Sequence, residues 1–204
     1  MSEFIYVELE ESKVEAEILQ KFNCGHPDFN DFLIEDALKE SSNGEGVTYI
    51  LIDKTEFDSG NITAIFAFAT IQSQSLHYYK DKECKVCNVE NDDKNIYYIP
   101  CAEIKYFGIA KAFQKQTAYA IDKNKFYSTI FFEWLLQYLY IMSTRTIGFQ
   151  MIFLRANEAG IKLYSRKSFL DCSDYIVPYE DCDASNKCIP MGLMITDNLG
   201  EIFS

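Results

Sequence analysis

The run LRANEAGIKLYSRKSF (154–169) sets an amide, a phenol and two cations close together, at Asn157, Tyr164, Arg166 and Lys167. Its apolar beginning and polar NEAG centre read as a strand running into a short helix, with Asn157 at the helix start and Tyr164 two turns later. An Asn at that place caps free N–H groups, typically for ~1 kcal/mol. Arg166 and Lys167 follow at the helix end, where cations are favoured and solvent is near. Tyr164 is also one of 14 tyrosines, any of which can pack a helix onto a sheet. A second charged pair, Glu103 and Lys105, interrupts the apolar run CAEIKYFGIA, and the plainest reading pairs the carboxylate with a neighbouring lysine.

Cysteine offers two further possibilities. Cys24 stands beside Gly25 and His26, and a Cys-His pair can generate a thiolate, but residues so near in sequence rarely orient for it. Cys84 and Cys87 have ligand spacing without a second pair or a histidine at zinc spacing, and tetrahedral zinc needs four ligands. Cys182 and Cys188 would have to complete the set by spatial coincidence, so no metal is expected. Seven cysteines is an odd number, which favours free thiols in a reducing compartment over a disulfide framework.

The elements that must position these groups follow from periodicity. Residues 3–8 read as a strand, and 28–42 as an amphipathic helix stopped by SNGEG. The β-rich runs 47–53 and 61–72, separated by the turn-forming KTEFDSGN, read as an antiparallel hairpin. Residues 73–97 form a polar excursion, 98–110 a strand limited at its start by Pro100, and 111–127 a lysine-rich connection. A helix capped by Ser128 or Thr129 is apolar almost all round and should be buried; Gly148 closes it. FQMIFLRA is a strand, NEAGIKLYSRKS a helix, and 188–196 a last strand after the polar loop YEDCDASN. This order predicts an α/β fold in a single domain over 1–204, with antiparallel hairpins first and a central β-α-β crossover.

The formal charge of -12, with no basic run, excludes a broad nucleic-acid footprint and favours cationic partners such as amines or lysine-bearing chains. The N-terminal stretch is acidic where a secretory signal needs a basic start, and no apolar stretch approaches membrane-spanning length. A soluble, cytoplasmic protein without a membrane association is expected.

Three stretches carry a resemblance. FNCGHPDFNDFLIEDAL (22–38) is similar to the F-x-C-G opening of a bacterial branch of the GNAT superfamily that includes toxin-antitoxin acetyltransferases. AEIKYFGIAKAFQ (102–114) looks like that superfamily's central strand and the start of its pyrophosphate loop, and LRANEAGIKLYSRKSF matches its Asn, Ala, then L-Y-x-K-x-x-F pattern. The resemblance implies a GNAT-type domain with a mixed, mostly antiparallel twisted sheet, helices on both faces, and acetyl-CoA as cosubstrate. It implies that backbone groups of Phe107, Gly108 and Ile109 pair with the pantetheine arm. Gln114, Lys115, Gln116 and Thr117 would hold the pyrophosphate, and Asn157 would meet the cofactor arm. Tyr164 would lie near the CoA sulfur, where a phenol of pKa about 10 can protonate the departing thiolate. Glu103 falls where the histone-acetylating branch carries its general base, which takes a proton from the attacking amine.

The loop departs from the family pattern. Q/R-x-x-G-x-G/A becomes Gln114-Lys115-Gln116-Thr117-Ala118-Tyr119, without glycine to permit close approach of the backbone to phosphate. Either Lys115, Lys123 or Lys125 supplies the charge instead, or the cofactor site has decayed. The leading expectation is an N-acetyltransferase acting on a primary amine of a small molecule or protein. Its rivals are a non-catalytic domain that senses CoA or binds a protein, and a toxin-like enzyme acetylating aminoacyl-tRNA. The acceptor amine and the oligomeric state stay open.

Overall fold

The computed structural model describes residues 3–79, 96–119, 121–174, 176 and 188–195. Its seven strands are β1 (Phe4–Glu8), β2 (Val47–Asp53), β3 (Ala67–Tyr79), β4 (Ile96–Ile109), β5 (Met151–Ala156), β6 (Leu170–Asp171) and β7 (Ile189–Met194). They form one sheet in the order β1-β2-β3-β4-β5-β7-β6. β1 with β2, β2 with β3, β5 with β7 and β6 with β7 are antiparallel. The mostly antiparallel α/β sheet is the architecture expected from the sequence. The Cys84 and Cys87 pair, Cys182 and the tip of the 73–97 excursion lie outside the described residues.

Two compact units share the chain: residues 1–72 with 104–138, and residues 73–103 with 139–204. In the first, β2 is buried along its length, and alternation sends its side chains to two cores. Ile50 and Ile52 join Leu19, Phe22, Phe32, Leu33 and Phe68 in one cluster. Leu51 joins Ala67, Ile109, Ile130 and Phe131 in the other, which the helix α6 (Tyr127–Arg145) supplies. A strand with both faces covered needs a continuous apolar run rather than alternation, and TYILI is one.

The first cluster is covered by α1 (Leu9–Ser12), α2 (Ala16–Lys21) and a long interrupted helix. That helix has a turn at α3 (Pro27–Asp31), a π-helical turn over Phe32–Asp36, and α4 (Ala37–Asn43). Pro27 begins α3, where its missing N–H costs nothing, and Gly44 ends α4 at φ 74. In the π turn the Ala37 N–H donates to the Phe32 carbonyl, and Phe32, Leu33 and Ala37 all stay buried. The sequence expectation of one uninterrupted helix over 28–42 is thus corrected within it.

KTEFDSGN, expected as a turn, is the helix α5 (Lys54–Ser59) with an extended tail. The Asp53 carboxylate accepts from the N–H groups of Thr55 (2.8 Å) and Glu56 (3.2 Å), and Gly60 closes the helix at φ 71. Turn-forming residues and helix-capping residues are the same types, which is why the two readings compete.

In the second unit, β5 pairs with β7 from Met151 opposite Met194 to Ala156 opposite Ile189. Leu76, Ile99, Cys101 and Phe153 form its buried cluster. α6, expected to be buried throughout, exposes Ile141 to 42% near its end. Among the described residues no helix is long and apolar enough to cross a membrane.

One close approach inside the first unit gives a test. A Cβ added at Gly108 would lie 2.5 Å from Cε1 of Phe68, whose ring is fully buried. Gly108→Ala should therefore cost about 2 kcal/mol through overpacking. Gly148→Ala, which meets nothing within 4 Å, should stay within about 0.5 kcal/mol of the parent. Chemical denaturation of both variants measures the difference.

Candidate active site

Glu103, the one carboxylate of the candidate set, is buried, with its side chain 4% exposed. It lies on β4, and the Arg155 guanidinium on β5 donates to it. Arg155 also stands 5.2 Å from the centre of the Phe153 ring, two residues back on the same strand face. Lys105, a lysine neighbouring Glu103 on the same strand, reaches Glu40 of α4 instead at 2.7 Å and lies 5.7 Å from the Tyr106 ring centre. Arg155 was the missed residue. Its signal was a cation inside MIFLRA, which a buried strand tolerates only with a partner. Nearby, burial pushes the Cys101 thiol up to about 12, with the charge of Glu103 adding to the effect.

Asn157 follows β5, and its side chain caps a turn rather than α7 itself. Its Oδ1 and its carbonyl each accept from the Gly160 N–H at 3.0 Å, closing a turn. Only then does this short helix α7 (Ile161–Ser165) begin, so the expected helix over 157–168 shrinks to five residues. Tyr164 rides on it. Gly160 lies under the Tyr164 ring so closely that a Cβ would sit 2.5 Å from Cε2, and the Phe169 ring is 6.1 Å away. Asn157 and Tyr164 are thus joined through Gly160. Burial pushes the Tyr164 phenol up to about 12, with Cys188 a lesser cause. Arg166 is exposed at the end of this helix, as expected.

In the first unit, Phe107 packs at 5.2 Å on Phe132 of α6, and Gly108 lies against Phe68. The Ile109 carbonyl accepts from Nε2 of Gln114 at 2.8 Å, and the same amide donates to the Cys24 carbonyl at 2.7 Å. Gln114 is therefore a tether that fixes where the loop leaves β4. Phe113 anchors the loop beside it, with its ring 5.1 Å from Phe66 and 5.2 Å from Tyr127.

The connection from 111 to 127 is tied to itself. The Ala118 N–H donates to the Lys125 carbonyl (2.8 Å), and the Tyr127 N–H to the Gln116 carbonyl (3.0 Å). Lys115 holds φ 58, the left-handed conformation that glycine adopts freely and lysine adopts at a cost of about 1–2 kcal/mol. Among the described residues no acceptor faces the N–H groups of Lys115, Gln116 or Thr117. The lysines differ in availability. Lys125 is spent on the buried Glu133 at 3.1 Å, whereas Lys115 and Lys123 are exposed without a carboxylate partner among the described residues.

Cys24 is not paired with the His26 ring. Its thiol donates to Oδ1 of Asn30 at 3.2 Å, and burial raises it. Cys24, Cys101, Cys172 and Cys188 are free thiols, and no group of three metal-ligating side chains occurs among the described residues.

No protein-family model and no curated protein matches the chain. Solved structures do. A bacterial toxin is 17% identical, with TM-score 0.66, covering 100% of this chain and 94% of its own. The toxin AtaT in complex with acetyl-methionyl-tRNAfMet is 16% identical, with TM-score 0.65, covering 99% and 100%. A tyrosine-to-phenylalanine mutant of KacT is 12% identical, with TM-score 0.62, covering 100% and 98%. At these identities the likeness speaks for the fold, and with the strand order above it shows that the chain has the GNAT fold of the toxins AtaT and KacT.

Proposed function

We propose that this protein is an acyltransferase that moves an acetyl group from acetyl-CoA to a primary amine by direct attack in a ternary complex. The observation that carries the reading is the left-handed backbone at Lys115, with three successive N–H groups that have no acceptor among the described residues. Successive N–H groups at a turn of this kind are donors of the sort that line anion-binding concavities. An energetically costly conformation at a non-glycine residue points to function. The charge of Lys115 would add what the glycine-rich family loop obtains from close backbone approach. That AtaT has been solved bound to acetyl-CoA supports the same cosubstrate here.

Bound acetyl-CoA supplies an activated acyl carbonyl and a thiolate leaving group. In this reading Lys115, Gln116 and Thr117 hold the pyrophosphate, and Gln114 fixes the loop that carries them. Backbone groups of Phe107, Gly108 and Ile109 pair with the pantetheine arm, which Asn157 also meets. The Glu103 carboxylate, fixed by Arg155, takes the proton of the attacking amine, and the Tyr164 hydroxyl donates to the leaving sulfur. A non-catalytic domain that senses CoA or binds a protein is the rival that the missing glycines motivate, and measurable turnover with any amine would exclude it.

A narrower reading makes the amine that of an aminoacyl-tRNA. The complex of AtaT with acetyl-methionyl-tRNAfMet favours it, and the charge of -12 opposes it.

Calorimetric titration with acetyl-CoA and CoA tests the cofactor loop. Lys115→Asn keeps a residue tolerant of positive φ and removes the charge, so affinity should fall about tenfold. Lys115→Val, β-branched at a left-handed site, should bind far more weakly. Equal affinity in all three proteins would remove the loop from the cofactor site. With an amine acceptor, Tyr164→Phe and Glu103→Gln should each lower kcat by about 10²- to 10⁴-fold and leave acetyl-CoA affinity nearly unchanged; unchanged turnover removes that residue from the mechanism.

Because the Tyr164 pKa is raised to about 12, its proton is retained well past the ordinary value, so its ionisation should not depress kcat below about pH 11. A loss of kcat between about pH 9 and 10 that disappears in Tyr164→Phe would contradict that assignment. Expression should arrest growth, with relief by Tyr164→Phe, if the acceptor is aminoacyl-tRNA; undisturbed growth counts against that narrower reading.

A further inference from the structure

The first unit contains a half-open pocket of about 250 Å³ that the acetyl-transfer reading does not use. Its walls are apolar: Ile18 and Phe22 from α2 and its end, Ile65 from the segment leading into β3, and Ala110 just after β4. Phe22 and Ile65 are buried core residues, so these walls are fixed by the packing beneath them.

The rim is polar and unevenly charged. Lys111 and Asn23 line it, and the Lys111 N–H donates to the Asn23 carbonyl at 2.8 Å, which holds the two residues side by side. Oδ1 of Asn23 already accepts from the Gly25 N–H (2.7 Å) and from Asn30 Nδ2 (3.4 Å). Its own amide NH₂ and the Lys111 ammonium have no acceptor among the described residues. The other polar groups at the rim are matched. Lys21 is 2.6 Å from Glu17, and Thr63 is held by the Glu56 carboxylate through its N–H (2.7 Å) and hydroxyl (2.6 Å).

An apolar pocket with one unmatched cation and an adjacent amide donor is complementary to a monocarboxylate carrying a short hydrocarbon tail. An amine would meet Lys111 with like charge, and a neutral alcohol would leave the ammonium unmatched. We infer that this pocket binds a small aliphatic carboxylate, its head on Lys111 and Asn23 and its tail against Ile18, Phe22 and Ile65. At this volume the tail holds about eight carbons at most, below the size of ligands that fill ordinary drug-sized sites. The inference does not rest on the acetyl-transfer reading.

The test is calorimetric titration of the full chain, without CoA, with octanoate, octan-1-ol and octylamine. Octanoate should bind saturably below millimolar concentration, octanol more weakly, and octylamine not at all. Lys111→Gln, at an exposed position, should weaken octanoate about tenfold and leave octanol unchanged. Ala64→Phe, an exposed rim residue, should plug the mouth and remove octanoate binding. Thermal melts establish that both variants are folded before their titrations are compared. No saturable octanoate binding, equal binding of all three probes, or octanoate binding unaffected by either substitution would overturn the inference. Because acetyl-CoA is absent from every arm, failure here leaves the proposed activity standing, and failure of that activity leaves this site standing.

Discussion

The burial of β2 on both faces is the constraint from which the first unit follows. Ile50, Leu51 and Ile52 are fully buried, so neither side of the strand can face water. Full burial of such a side chain is worth roughly 1.5–3 kcal/mol, so each face must be covered. α2 and the interrupted helix cover one side, and α6 covers the other. The π turn serves the same demand, since it lets Phe32, Leu33 and Ala37 all reach the sheet. Covering both faces also leaves the edges and ends of the strands as the places where polar chemistry can gather. Ile109 ends β4 there, and the Gln114 amide is already hydrogen-bonded to its carbonyl.

The loop that follows shows how chain conformation and residue identity can separate. A glycine-rich sequence is one route to a left-handed turn, because glycine has no Cβ to clash. Here Lys115 takes that conformation, and its surroundings hold it there. Gln114 is tethered on one side, and the pairing of Gln116 with Tyr127 and of Ala118 with Lys125 closes the other. Phe113 packs beneath. Tertiary restraint thus substitutes for intrinsic backbone freedom, at the cost of strain in one residue.

That substitution explains what the sequence could and could not reveal. Periodicity located β2, the helical stretch over 28–42, α6, β5 and β7, because each has a run whose burial dictates its pattern. The order of elements and the motifs around Tyr164 then suggested the fold. Competing local signals hid other features. Asp53 and Gly60 flank a helix with residues that also make turns, and the π turn leaves no mark in FLIED. Non-local pairings were invisible: Glu103 with Arg155, 52 positions away, and Lys105 with Glu40, 65 positions away. Strand alternation gave no means of choosing Arg155 over Lys105. The rim of Lys111 and Asn23 was equally hidden, since a turn of backbone pairing brings together two residues from different parts of the chain.

The closed hairpin between Thr117 and Phe126 also has a practical meaning. Its base is stitched by paired main-chain groups and its anchor is aromatic, while Ile121, Lys123 and Asn124 at its outer end are exposed. Exposed tips of this kind tolerate insertion and nicking well. A fluorophore, a short epitope or a protease site could be spliced in there without disturbing the strands beneath, giving the protein a built-in handle for following its own conformation.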